Sequence, residues 1–213
     1  MFEGALGYDE LFTLEEILVG VDSLYLSLVG RDEIKSKIKS LVGTLVDKVY
    51  SVSSKDMSVL VDTDYLDPDR MGLDRWLAIY AILTGAGGFK VIVDAGTAMT
   101  IDVVGDHRHL GGFIVPGYHS QITSLSVKAA LPEPVGVLPG ISLGVDTMTC
   151  MERGVWVMLS SFIEAVFSEY PRAELHLTGG DARHLAGLVG VPCTVHNNLV
   201  LDGLVKFRSR MAR

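Results

Sequence analysis

Cysteine is nearly absent: Cys150 and Cys193 are the only two in 213 residues, with no CxxC or His-rich spacing around them. That scarcity excludes a disulfide scaffold, offers no zinc-ligand pattern, and points to a reducing, cytoplasmic setting. Clustered positive charge is missing as well. There are 18 Lys and Arg against 26 Asp and Glu, for a formal net charge of −8. Lys35, Lys37 and Lys39 are interleaved with Ser and Ile rather than massed. No nucleic-acid partner is expected from such a balance. An anionic substrate would have to be met by backbone amides, a few selected basic residues and cations. Long apolar runs are lacking too. The most apolar helix-like stretch, 155–167, falls short of the roughly 20 residues that span a bilayer, so no membrane partner is expected. The opening MFEGALGYDELF carries acids and no basic stretch, and does not read as a secretory signal. Low-complexity segments and short repeats are absent.

What is present is a substantial core. Hydrophobic residues make up 48% of the chain and the mean hydropathy is +0.36, enough for one large domain or two small lobes. Leu24, Leu26 and Leu28 alternate as in a strand. Ile34, Ile38, Leu41, Val42, Leu45, Val46 and Val49 share one face of a helix expected over 31–50. A short strand is expected at 58–61, then an irregular loop, DTDYLDPDRMG. A helix starting at Leu73 carries Asp74 and Arg75 in its first turn and stops at Gly85 to Gly88. Further helices are expected over 118–130 and 147–170, with a stiff Pro- and Gly-containing connection between them. A strand at 174–177, a turn opening a helix, a strand at 193–195 and a helix over 199–211 complete the chain.

The segment that organises the rest is FKVIVDAGTAMTIDVVGDHRHLGGFIVPG, residues 89–117. It reads as strand, glycine turn, strand, turn, strand, an antiparallel meander. With no bulky side chain at the first turn, the N–H groups of Gly96, Thr97 and Ala98 can approach a phosphate. Thr97 adds a hydroxyl, while Asp94 and Asp102 place carboxylates where a cation would offset phosphate charge. A lone DxGT is equally what an ordinary hairpin presents. A second strand ends the same way, however, in LHLTGGDA (residues 175–182), where a helix N-terminus follows Gly179 and Gly180. Two such turns, preceded by a helix that opens on Asp-Arg, point to a nucleotide-using enzyme.

These residues resemble those of type III pantothenate kinases, in the acetate kinase, sugar kinase, Hsp70 and actin superfamily. The matching segments are GLDRW (72–76), VIVDAGTAMTID (91–102), HLGGFIVPG (109–117), the T-x-x-x-x-E-R-G segment (147–154) and LTGGDA (177–182), in the family's order and near its spacing. The resemblance implies an α/β, ribonuclease H-like, two-lobed actin/Hsp70-type kinase fold with an incomplete first lobe, divided as residues 1–72 and 73–213. It implies transfer of the ATP γ-phosphoryl to pantothenate, the first step of coenzyme A biosynthesis. Asp74 would accept the hydroxyl proton and Arg75 would pair with the pantothenate carboxylate. Tyr65, Gly72, Leu73 and Thr147 would complete the substrate site. Gly96, Thr97, Gly179 and Gly180 would line ATP, and Asp94 would hold a monovalent cation, potassium or ammonium, beside the Mg²⁺ that accompanies ATP. The family forms homodimers, and the apolar run 155–167 is a candidate for core or interface packing.

One departure accompanies this likeness. The family's opening D-x-G-N-(T/S) phosphate loop is absent from these residues, and the only asparagines are Asn197 and Asn198. Two expectations follow: the chain begins at an internal Met of a full kinase, or it is a non-catalytic pantothenate-binding or regulatory relative on the same fold.

Overall fold

A computed structural model describes residues 11, 13–28, 32–83, 87–131, 139–170 and 172–211. After a single helical turn, α1 (Leu14–Ile17), strand β1 (Ser23–Ser27) pairs in parallel with β2 (Lys48–Val52) across helix α2 (Asp32–Leu45). The helix expected over 31–50 therefore ends five residues early. Val49, Tyr50 and Val52 are β-branched or aromatic, and register with Leu24, Tyr25 and Ser27 turns the helical continuation into a strand. Tyr25 and Tyr50 stack at 4.7 Å between ring centroids across that pair.

The strand expected at 58–61 is also corrected. Ser53 and Asp56 form a reciprocal capping box that opens a short helix, α3 (Ser54–Ser58). The extended pair β3 (Asp62–Thr63) comes only afterwards. The irregular loop then holds a 3₁₀ turn at Pro68–Arg70 before α4 (Leu73–Ile82). The stop expected for α4 falls partly outside the described residues, as does most of the Pro-containing connection after 131.

The meander forms as the sequence implies: β4 (Lys90–Ala95), β5 (Ala98–Gly105) and β6 (Arg108–Pro116) are antiparallel neighbours. Helices α5 (Tyr118–Ala129) and α6 (Thr147–Ser168) follow. Then come β7 (Glu174–Thr178), the short α7 (Ala182–Ala186), β8 (Cys193–Val195) and α8 (Leu199–Met211). The larger sheet has six strands in the order β3-β6-β5-β4-β7-β8, with β7 parallel to both β4 and β8.

Helices cover both faces of this sheet. Val91, Val93, Ile101 and Val103 pack with Trp156, Leu159 and Ile163 of α6 and Leu185 of α7. Ile92 and Val104, from the alternate positions, pack with Trp76, Leu77 and Ile79 of α4 and with Leu204 and Phe207 of α8. Gly203 lets α8 ride directly on α4, since a Cβ there would lie 2.1 Å from the Leu77 carbonyl oxygen. Lys206 of α8 donates to the carbonyls of Tyr80 and Ala81 at the end of α4. The first turn of α4 is thus fixed over one end of the sheet.

Candidate active site

Strand alternation decides which residues meet that helix. Ile92 faces α4, so Asp94, two residues on, does as well. In the β4–β5 register Ile92 lies opposite Asp102 and Asp94 opposite Thr100, which puts Asp102 on the same face. Arg75 reaches down from the first turn of α4 and its Nε and Nη2 donate to Asp102 Oδ2 and Oδ1 at 3.0 and 2.6 Å. Both groups are buried, at 6% and 2% exposure. Burial alone would weaken the guanidinium's hold on its proton, and the Asp102 carboxylate more than offsets this, so its pKa is raised. Tyr65 lies against the same group, with the guanidinium carbon 5.6 Å from its ring centroid.

Asp102 therefore shares a face with Asp94, as its sequence position suggested, but its carboxylate is taken up by side chains of this chain. It is the buried counter-ion of Arg75 and also accepts from His109 Nε2 at 2.8 Å. The Nε–Nη2 edge of Arg75 is engaged by Asp102, and the Tyr65 side chain is a further hydrogen-bond partner of the guanidinium.

Asp94 is half-buried, and burial first, then the charges of Asp74 and Asp102, push its carboxyl up to about 6. Such a group gains most from a nearby cation. Among the described residues no set of three or more His, Cys, Asp or Glu side chains could hold a metal ion. A cation at Asp94 would complete its shell from phosphate oxygens and water, which suits Mg²⁺, commonly held by one or two carboxylates plus substrate phosphates.

The two glycine turns come together at the carboxyl ends of adjacent parallel strands, where ligands bind in open α/β sheets. Asp94 is in register with Thr178, and the Asp181 N–H donates to the Ala95 carbonyl at 3.1 Å. Gly179 has φ +93°, and a Cβ on it would fall 2.4 Å from the Ala95 oxygen and 2.6 Å from Asp94 Oδ1, so no larger residue fits. Opposite, the Thr97 carbonyl accepts from Gly117 N–H at 3.0 Å and Ser120 Oγ at 2.6 Å, pinning the first turn to the start of α5. The structure thus brings Gly96, Thr97, Gly179 and Gly180 to one corner beside Asp94. Thr97, Gly179 and Gly180 are open to solvent there.

Asp74 is half-buried at the start of α4, where its Oδ1 accepts the Arg75 N–H at 2.9 Å. A Cβ at Gly72 would come 2.5 Å from that oxygen, so the glycine clears the carboxylate. Leu73 is buried in the core, and only its backbone borders the site. Thr147 stands apart: exposed at the first position of α6, it has no hydrogen bond or ion pair to Asp74, Arg75 or Tyr65 among the described residues. Further along α6, the buried Glu152 accepts from Tyr118 Oη at 3.2 Å. Burial, then that carboxylate, raises the pKa of the Tyr118 hydroxyl.

Sequence reasoning assigned no role to His109 or Thr63. His109 is fully buried and Thr63 half-buried, and their Nδ1···Oγ1 separation is 2.9 Å. The histidine lay in plain view in the HLGG segment, but its direction depends on a strand irregularity that residue spacing does not reveal.

The family model for type III pantothenate kinase matches residues 5–169. The chain is similar to type III pantothenate kinases of Marinomonas sp. (35% identity over 72% of this chain and 64% of that one), Hahella chejuensis (32%, 87% and 78%) and Marinobacter nauticus (32%, 89% and 80%). It thus spans a little under two thirds of the first relative's length and more of the others. Among solved structures, a conserved Baf family protein from Campylobacter jejuni aligns with TM-score 0.63 at 24% identity, covering 93% of this chain and 88% of that one. MreB5 of Spiroplasma citri aligns with TM-score 0.50 at 8% identity, covering 99% and 78%. These two likenesses concern the fold, an actin-type α/β architecture.

Proposed function

Because the chain belongs to the type III pantothenate kinase family, we propose that it transfers the γ-phosphoryl group of ATP to the primary hydroxyl of pantothenate. The product, 4'-phosphopantothenate, is the first intermediate toward coenzyme A. The observation that carries this reading is the placing of Asp74 and Arg75, at the start of one helix, beside Asp94 and the paired glycine turns. Phosphoryl transfer is mainly positioning plus charge neutralisation, and this corner supplies both.

In this reading Asp74 accepts the proton of the attacking hydroxyl, a role that requires an ionised carboxylate within hydrogen-bond reach. Arg75 meets the pantothenate carboxylate, Tyr65 flanks it, and the Gly72–Leu73 backbone borders it. Thr147 would join this set only by movement of the start of α6 or from a second copy. Backbone amides of Gly96, Thr97, Gly179 and Gly180 cradle the phosphates. Mg²⁺ bound with ATP supplies charge neutralisation at the transferring group, and the oxygen of Asp94 is the protein ligand suited to it or to a monovalent cation, potassium or ammonium.

Homodimerisation is part of the same proposal. Phe113 and Ile114 of β6, Leu125 of α5 and Met158 of α6 are exposed apolar residues. Leu125 and Met158 line a hollow of about 440 Å³ together with Pro116, Gln121, Met151 and Val155, a surface suited to a second copy. We also retain a division into units 1–72 and 73–213, although β3, from the first, pairs with β6 of the second. A cytoplasmic location fits the two unpaired cysteines. No helix among the described residues is long and apolar enough to cross a membrane.

The test is ADP release by the 213-residue chain with pantothenate, Mg-ATP and potassium. Pantothenate-dependent ADP formation is the expected result. Pantothenate binding without ADP release would replace the kinase reading by that of a binding protein.

A further inference from the structure

His109 is 0% exposed, yet both ring nitrogens have partners, Asp102 Oδ1 at 2.8 Å and Thr63 Oγ1 at 2.9 Å. Its direction is produced by a bulge. Across β5 and β6, Asp102 pairs with Gly112 and Val103 with Gly111, but Val104 pairs with His109, so Leu110 is the extra residue. Regular pairing would have put Leu110 opposite Val104 and turned His109 toward the α6 face. Gly111, at φ +130°, takes the strain of the irregularity. Leu110 packs on the α6 side, while His109 meets Trp76 and Tyr65 on the α4 side.

The hydrogen bonds run in one direction. Asp102 Oδ1 already accepts from Arg75 Nη2, so His109 Nε2–H donates to it as well. Nδ1 then accepts from the Thr63 hydroxyl, whose oxygen takes the Tyr65 N–H at 3.0 Å. The chain joins the loop carrying Tyr65 to the guanidinium of Arg75 through β3, β6 and β5.

We propose that His109 and Thr63 are positioning residues that hold Arg75 and Tyr65 in mutual register for the substrate's carboxylate, the bulge at Leu110 being the backbone device that aims the histidine. This rests on the pantothenate kinase reading for the identity of the substrate. Arg75 can present its guanidinium in a fixed direction only if the Asp102 plane is fixed, and His109 fixes it. Thr63 sets the ring and, through the same oxygen, the Tyr65 backbone.

The experiment compares wild type with Thr63→Val, isosteric but without the hydroxyl, and Thr63→Ser, which restores it. Readouts are KM for pantothenate, KM for Mg-ATP and the ring-nitrogen NMR signals of His109. Thr63→Val should raise KM for pantothenate about tenfold, the scale of one well-made hydrogen bond, and leave KM for Mg-ATP in place. Thr63→Ser should return it to within about twofold, by the same reasoning. Wild type and Thr63→Ser should show a single Nε2–H tautomer with a hydrogen-bonded Nδ1, a signature lost in Thr63→Val. An unchanged pantothenate KM in Thr63→Val, a rise in both KM values that serine does not rescue, or a doubly protonated His109 ring would overturn the proposal. A wild-type chain that neither binds nor phosphorylates pantothenate would sink the kinase reading instead, and the ring signals would still decide the wiring.

Discussion

The two faces of the large sheet are made by the same strands and have opposite chemistry. Toward α5, α6 and α7, β4 and β5 present Val91, Val93, Met99, Ile101 and Val103, a continuous hydrocarbon layer. Toward α4 and α8 the alternate positions present Ile92, Asp94, Thr100, Asp102 and Val104. The polar members of that second set gather at the end covered by the first turn of α4, and His109 is turned to join them. One face supplies burial and the other supplies charge at a defined place. Stability and phosphoryl transfer should therefore be separable by mutation.

The largest expected effects test this contrast directly. On the polar face, Asp74→Asn keeps the size and the half-buried setting but removes the base. ADP release should fall by about a thousandfold, within the range for general-base catalysis, while the thermal midpoint changes little. A wild-type rate in that variant would remove Asp74 from the mechanism. On the apolar face, Trp156 is fully buried and stacks on Tyr118 with ring centroids 4.2 Å apart. Trp156→Ala should cost about 3–5 kcal/mol in urea unfolding, with KM values preserved in whatever fraction stays folded. Loss of substrate affinity without loss of stability would erase the proposed separation.

Much of this contrast was legible in the sequence because it rests on periodicity. The VIV run, the meander and the apolar stripe of α6 follow alternation and helical spacing, and the structure keeps them. The DAGT and TGGD turns were legible because small residues at strand ends have few uses. What escaped depends on partners distant in sequence. The helical pattern that continues through Val46 and Val49 is overridden by the pairing of β2 with β1, which no local window contains. The commitment of Arg75 to Asp102, 27 residues away, and the turning of His109 by one extra residue in β6 require the register itself. Thr147 shows the reverse: its motif was legible, but the described structure does not join it to the other substrate residues.

A third prediction sharpens the polar side. Asp94 titrates near 6 in the folded chain, above its ordinary value of 3.8, because burial and two acidic neighbours disfavour the charge. The stability tied to its protonated form is fully present below the unfolded-state value and is lost as pH rises through about 6. Asp94→Asn should thus match wild type in urea unfolding at acid pH and exceed it by roughly 3 kcal/mol at alkaline pH, given 1.36 kcal/mol per unit. Mg-ATP should narrow that gap in wild type by pairing the carboxylate. Parallel pH curves for the two proteins would mean that Asp94 is better solvated than its setting indicates.

The smallest effect on stability is expected where the apolar side reaches solvent. Met158 lies on α6 only two residues from the buried Trp156, yet it is 52% exposed. With Phe113 of β6, which packs edge-on against Phe162 of α6, also exposed, the hydrocarbon of this side continues outward past the core. For an isolated chain, Met158→Glu should shift stability by no more than about 0.5 kcal/mol, as at other surface positions. If the patch is where two copies meet, the same change buries a carboxylate in an apolar interface, and sedimentation should show a shift to monomer at micromolar concentration. Wild type that is monomeric throughout would assign the patch to another occupant. A dimer that persists in Met158→Glu would move the contact elsewhere. Either result would leave the inner hydrocarbon layer, and its contrast with the charged face, intact.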